Sequence, residues 1–173
     1  MFSTTARRAA LATATAGAAA AALLAASATA AADTPGRALD RVPAAFAPWV
    51  HAAPLLCPAA QISPAFIAAQ LDAESGFDAA AVGPMGQAGP AQLVPLTAAA
   101  FLIDADLSGT ASPYDIGDAV VALVRADCDI VDRLTAAGAP TDSETIATAY
   151  IGGTANIDHP IAREYARAVV DCM

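Results

Sequence analysis

The chain has 173 residues and a net charge of −9 at pH 7, with eight arginines, no lysine and seventeen acidic residues. Such a charge repels nucleic acid and anionic membranes, so neither is expected as a partner. Hydrophobic residues make up 57% of the chain, which excludes a disordered acidic tail and suits one domain around one core.

Residues 1–32 contain no acid and form an alanine-rich run that includes Arg7 and Arg8 and ends in small residues. This pattern predicts an export signal, cleaved after Ala30 or Ala32 and used by either the Sec or the twin-arginine route. The mature chain would keep six arginines against seventeen acids, a net charge of −11. It is expected to be secreted or held in the cell wall, without membrane contact after cleavage.

Residues 33–56 show little regular pattern and are predicted to form a lead-in segment that packs onto the domain. Five prolines lie within residues 33–60, and Phe46 and Trp49 are the only large aromatic side chains available to anchor the segment. The domain itself is expected to occupy residues 57–173.

The first predicted helix begins at Ser63 as N-cap, has Pro64 at its first position and ends at Gly76. Glu74, one of three glutamates in the chain, lies on the same helical face as the apolar Leu71. Its carboxyl is therefore expected to face the core or a cleft. Scarce water and the negative end of the helix would both raise its pKa there. The alternative is a helix-end glutamate that turns to solvent.

The rest of the chain predicts four further helices and no convincing strand pair. They follow a loop at residues 78–91 that is rich in glycine and alanine. The clearest helix has apolar residues at spacings of three and four. The four helices are expected after Pro95, at residues 115–137, from Ser143 to Tyr150, and from Pro160 to Val170. The sequence thus predicts a single, mainly α domain with little or no β structure.

Residues 104–115, with the sequence DADLSGTASPYD, have the spacing of a twelve-residue calcium loop. Gly109 stands at the sixth position, where such a loop turns sharply. The oxygen ligands would come from Asp104, Asp106, Ser108, Ser112 and Asp115. The alternative is an acidic turn that caps the next helix and binds no metal.

Cys57, Cys128 and Cys172 are too few and too widely spaced for a zinc site. An exported chain favours one disulfide, which would leave one cysteine over. A bridge from Cys57 to Cys128, with Cys172 as the free thiol, is one pairing, and the spacing alone leaves the choice open.

The stretch that begins at Glu74, ESGFDAAAVGPMGQAGPAQLVPLTA, resembles the signature of the soluble lytic transglycosylase domain in its secreted actinobacterial form. The resemblance continues through residues 112–128, 146–157 and 164–170 and so covers nearly the whole mature domain. It implies a goose-type, lysozyme-like helical fold and a bridge between Cys57 and Cys128. The matched positions are Glu74, Ser75, Gly76, Gly86, Gly89, Gln92, Pro95 and Thr97.

The resemblance implies cleavage of the β-1,4 bond between N-acetylmuramic acid and N-acetylglucosamine in peptidoglycan glycan strands. Glu74 would be the single general acid and base, and the muramic acid's own 6-hydroxyl would close a 1,6-anhydro ring. One alternative is a hydrolytic muramidase that uses water and a second carboxylate such as Asp78. Another is a noncatalytic module that binds peptidoglycan.

Other matched residues take supporting roles in this resemblance. Gln92 would hydrogen-bond the substrate, and Tyr150 and Tyr165 would line the cleft, unless they are core tyrosines with satisfied hydroxyls. Gly86 and Gly89 would form turns that side chains obstruct. The enzyme is expected to act as a monomer and to require no cofactor, with calcium as a structural ion at most.

The chain departs from the family's pattern in three parts of the expected cleft. Gly83 stands where the family usually has a serine and Val94 where it has a methionine, while Ile151 and Thr154 stand in place of an asparagine and a proline. Fewer polar groups to orient the substrate would slow the reaction or change the preferred glycan.

Overall fold

The structure, a computed structural model, describes residues 38–173, so the export signal predicted for residues 1–32 lies outside the described residues. Residues 38–173 form seven helices and no strand, with isolated β-bridges only in the loop around Ala88. The prediction of a mainly α chain is confirmed. The helices are α1 (Ala38–Arg41), α2 (Ala47–Leu56), α3 (Pro64–Ser75), α4 (Pro95–Phe101), α5 (Ile116–Ala136), α6 (Ser143–Gly152) and α7 (Pro160–Asp171).

Side-chain capping contacts are found at the N-terminal ends of three helices, where the sequence predicts these helices to begin. The Ser63 hydroxyl accepts the backbone N–H of Phe66 at 3.2 Å. Asp115 accepts two backbone N–H groups at the start of α5, and Asp142 accepts the N–H of Thr145 at the start of α6. Each cap satisfies donors that have no partner inside the helix. The predicted bounds of these helices agree with the structure to within two residues.

Helix α2 lies in the lead-in segment, where the sequence shows little regular pattern and predicts no helix. Pro48 and Pro54 weaken the helical pattern in the sequence, since proline lacks a backbone N–H. Pro48 is tolerated because it lies in the first turn. Buried Phe46 packs edge-on against Phe77 with ring centroids 5.4 Å apart, and Trp49 packs against the core, so tertiary contacts hold the segment.

Helix α3 is the centre of the fold. Its residues 66–71 are all buried, and it packs against α1, α2 and α7. Five of these six residues are apolar, as expected of a helix segment in the core. The long helix α5 packs against α2, α4 and α6 and buries Val120, Leu123 and Val124. Both helices also contribute residues to the cleft described below.

A disulfide joins Cys57, just after α2, to Cys128 in the middle of α5, with a Cα–Cα distance of 5.9 Å. This pairing was implied by the family resemblance and is confirmed. Cys172 is a free, half-buried thiol. Among residues 38–173, no helix is long and apolar enough to cross a membrane.

Candidate active site

A cleft of about 1280 Å³ opens beside the C-terminal end of α3. Residues 81–94 form one of its sides together with α4, and the middle of α5 and the end of α6 form the other. Glu74, Gln92 and Tyr150, three of the predicted site residues, line this cleft together. The structure therefore brings the motif after α3 and the motif at the end of α6 to one place.

Glu74 lies in the last turn of α3, half-buried in the cleft wall. Gly76 ends the helix in a left-handed conformation, with φ of 63°, which suits a residue without a Cβ. The backbone then turns away into the loop and leaves the carboxyl at the cleft. The glutamate faces the cleft, as its position on the helical face predicts.

Burial raises the pKa of Glu74 from its ordinary value of 4.5 to about 7. A hydrogen bond from Tyr165 opposes this effect, because it favours the ionised carboxylate. The Tyr165 hydroxyl donates to Oε1 of Glu74 at 2.6 Å. A carboxyl with this pKa exists in both protonation states near neutral pH, which is what a group that gives and then takes a proton requires.

The two predicted cleft tyrosines have different positions. Tyr165 is buried on α7 and reaches Glu74 directly. Tyr150, near the end of α6, lines the cleft, and its hydroxyl donates to the carbonyl of Ala91 at 2.9 Å. Burial and the nearby negative charge of Glu74 raise the pKa of both phenols well above the ordinary value. Both therefore remain hydrogen-bond donors at any physiological pH.

Ser75 ties the end of α3 to the loop that forms the cleft. Its hydroxyl donates to the carbonyl of Pro90 at 2.9 Å and accepts the backbone N–H of Asp78 at 3.1 Å. Gly89 has a φ of 71°, and a Cβ built on it would lie 1.6 Å from the carbonyl oxygen of Pro113. This glycine is required because the two backbone segments approach too closely for a side chain.

The remaining motif residues shape the same loop. Gly86 adopts a left-handed conformation with φ of 82°, and Pro95 occupies the first turn of α4. Gln92 also has a positive φ, of 45°, and its side-chain N–H donates to the carbonyl of Gly89 at 2.8 Å. That bond holds the Gln92 amide in a fixed orientation at the cleft.

The positions that depart from the family's pattern also line the cleft, namely Gly83, Val94, Ile151 and Thr154. The side chain of Gln87 fills the space at the first of them, because a Cβ on Gly83 would lie 2.3 Å from its Oε1. The Gln87 side chain therefore occupies this part of the cleft wall, and its Oε1 accepts the backbone N–H of Met85 at 2.9 Å. The sequence offered no signal for this contact, since it depends on how the loop folds back.

Several charged cleft residues were missed from the sequence. Arg41 forms an ion pair with Asp72, and Arg133 forms one with Asp129 at 2.5 Å, all at the cleft walls. Asp78, the second carboxylate considered for a hydrolytic mechanism, is exposed and does not line the cleft. Its side chain instead accepts the backbone N–H of Ala80 at 2.8 Å.

The carboxylates that lie together in the acidic loop differ in part from the predicted calcium ligands. Asp104 and Asp106 lie together, but the third carboxylate within 4.8 Å is Asp118, whereas Asp115 caps α5. Asp118 was missed because it lies beyond the twelve-residue window. Calcium binding stays a prediction, and an unchanged melting temperature in millimolar calcium would rule it out. The other two predicted ligands make local bonds: Ser108 contacts Asp104, and Ser112 accepts from the N–H of Tyr114.

No family model matches the sequence, and no curated protein matches it significantly. Its function is therefore inferred from the geometry of the cleft and from the motifs around Glu74.

Proposed function

We propose that this protein is a peptidoglycan lytic transglycosylase with a lysozyme-like fold, in which Glu74 is the single general acid and base. The observation that carries the proposal is a half-buried glutamate in a large cleft, with its pKa raised to about 7 and a tyrosine hydroxyl on its carboxyl. The motif residues that follow Glu74 support the same assignment, because four of them line that cleft, namely Ser75, Gly76, Gln92 and Thr97.

In the first step, protonated Glu74 gives its proton to the glycosidic oxygen, and the bond from that oxygen to C1 of N-acetylmuramic acid breaks. Near pH 7 about half of the molecules hold this proton, as follows from a pKa of about 7. The carboxylate left behind is stabilised by the hydrogen bond from Tyr165, which is stronger to a charged acceptor.

In the second step, the carboxylate takes the proton of the muramic acid's 6-hydroxyl, and the oxygen closes on C1. The products are a free 4-hydroxyl on N-acetylglucosamine and a 1,6-anhydro ring, so no water is consumed. Glu74 ends protonated and ready for the next cycle. One carboxyl serves both steps, and no metal or cofactor takes part.

Gln92 and Tyr150 are proposed to hold the glycan in the cleft. Both lie in the cleft wall with side chains fixed by bonds to backbone carbonyls, so they lose little conformational freedom when substrate binds. The protein would act outside the cell, as a monomer, on the glycan strands of the wall.

The test is digestion of purified peptidoglycan sacculi, with mass spectrometry of the soluble products. We expect fragments with 1,6-anhydromuramic ends from the wild-type protein and none from Glu74→Gln. Glu164→Gln is the matched control, since it makes the same chemical change at an exposed glutamate outside the cleft. It should retain full activity.

Other outcomes would replace the proposal. Reducing ends would assign hydrolysis by a muramidase. Binding to sacculi without release of fragments would assign a noncatalytic peptidoglycan-binding module. Undiminished activity in Glu74→Gln would remove the acid and base from the mechanism.

A further inference from the structure

A buried polar pair lies one helical turn before Glu74 and has no part in the mechanism above. Gln70 on α3 and Asp127 on α5 both have 0% exposure. The Gln70 amide donates to Oδ1 of Asp127 at 3.3 Å. Since Gln70 and Glu74 are four residues apart, they lie on the same face of α3. The pair therefore joins the helix that carries Glu74 to the long helix α5.

Two atoms of this pair lack hydrogen-bond partners, Oε1 of Gln70 and Oδ2 of Asp127. Both are acceptors if Asp127 is ionised, and buried acceptors without partners are unfavourable. An ionised Asp127 would also be a buried charge without a counterion. Among the arginines that the structure describes, four form ion pairs with other acids, and Arg125 donates to the backbone carbonyl of Phe101.

A single proton on Oδ2 of Asp127 would satisfy both atoms. The carboxylic acid would then donate to Oε1 of Gln70, while the Gln70 amide donates to Oδ1. We propose that Asp127 is a neutral carboxylic acid in a two-bond pair with Gln70, and that this pair positions Glu74 against α5 without placing a second negative charge beside it.

The groups that face Asp127 favour the protonated form. They are Glu74 from α3, Tyr150 from α6 and Tyr165 from α7, and none of them is a cation. Burial raises the pKa of Asp127 well above its ordinary value. The hydrogen bond from Gln70 opposes the rise, and the negative charge of Glu74 adds to it.

The pair makes Asp127 a positioning residue, because it acts on Glu74 only through α3. Fixing Gln70 against α5 fixes the rotation of α3 about its axis, and hence the direction in which Glu74 points one turn later. A neutral pair does this without changing the charge around Glu74. An ionised Asp127 in the same place would couple its negative charge to the titration of that carboxyl.

Asp127→Asn tests the protonation state, because an asparagine amide offers the same donor and acceptor as a neutral acid. In the unfolded wild-type chain Asp127 ionises above about pH 4, while the folded protein keeps its proton, so stability is lost as pH rises. We therefore expect the melting temperature of wild type to fall more steeply than that of Asp127→Asn between about pH 5 and pH 8. A variant that melts lower than wild type at pH 7 would overturn the proposal.

Asp118→Asn is the matched control, since Asp118 is equally buried and lies on the same helix. Its carboxylate accepts the backbone N–H groups of Ala105 and Ser112. An amide nitrogen at either position would face a donor, so this variant should melt below wild type throughout the range from about pH 5 to pH 8. The contrast separates a neutral buried acid from one that serves as an acceptor.

Two NMR measurements complete the test and need neither substrate nor activity. The carboxyl carbon of Asp127 in the wild-type protein should show the chemical shift of a protonated acid at pH 7, and the shift of a carboxylate would overturn the proposal. The titration midpoint of Glu74 should be the same in wild type and Asp127→Asn. A lower midpoint in the variant would mean that a negative charge had been removed. Failure of the sacculus assay would leave all these readings unaffected.

Discussion

Glu74→Gln should stabilise the protein above neutral pH, although it removes the proposed catalytic group. Burial raises the pKa of this carboxyl from 4.5 to about 7. Below pH 4.5 the side chain is neutral in both the folded and the unfolded chain, so its contribution to stability is fully present. As the pH rises to about 7 the unfolded chain ionises while the folded protein holds the proton, and stability is lost.

The size of the loss follows from the two pKa values. Their difference, at roughly 1.4 kcal/mol for each unit, amounts to about 3 kcal/mol of unfolding free energy. Glutamine has no proton to lose, so Glu74→Gln should exceed wild type by about this amount at pH 8 and match it at pH 4. The assay is denaturant-induced unfolding of both proteins at the two pH values.

The exposed glutamate provides the control for this experiment. Glu164→Gln makes the same substitution in solvent and should leave the difference between pH 4 and pH 8 as it is in wild type. Equal stability of wild type and Glu74→Gln at pH 8 would refute the reasoning. It would mean that the carboxyl ionises as freely in the folded protein as in the unfolded chain, and the proposed acid would then be almost fully ionised at neutral pH.

Three further predictions follow from the same structure. Tyr165→Phe removes the donor at 2.6 Å from Glu74, so an NMR titration should place the pKa of Glu74 about one unit higher, and an unchanged midpoint would contradict the contact. Replacing both bridged cysteines by serine should lower the unfolding free energy by about 4 kcal/mol in chemical denaturation, because the bridge closes a loop of 71 residues. Gly89→Ala should lower the melting temperature much more than Gly138→Ala does. Both glycines have positive φ, but only a Cβ on Gly89 would lie against a backbone carbonyl. Equal losses in melting temperature would exclude the clash.

Part of the cleft could be read from local spacing in the sequence. The helical period places Glu74 on the same face as Leu71, and Ser63 and Gly76 mark the two ends of the helix. Both features can be predicted because they depend on residues only three or four positions apart. Helix α2 was not predicted, because it depends on contacts between distant parts of the chain. Pro54 breaks the local pattern, and the helix forms because its buried face packs against α3 and α5.

The sequence by itself determined where most of the helices begin and end, and which carboxyl stands at the end of α3. These features depend on neighbours within a turn of helix, so they can be read along the chain. Only the tertiary structure decided that Tyr165, 91 residues away, donates to Glu74, and that Gln70 meets Asp127 across 57 residues. It also decided the pKa of Glu74, because burial is set by every element that packs around a group and not by the residues beside it in the chain.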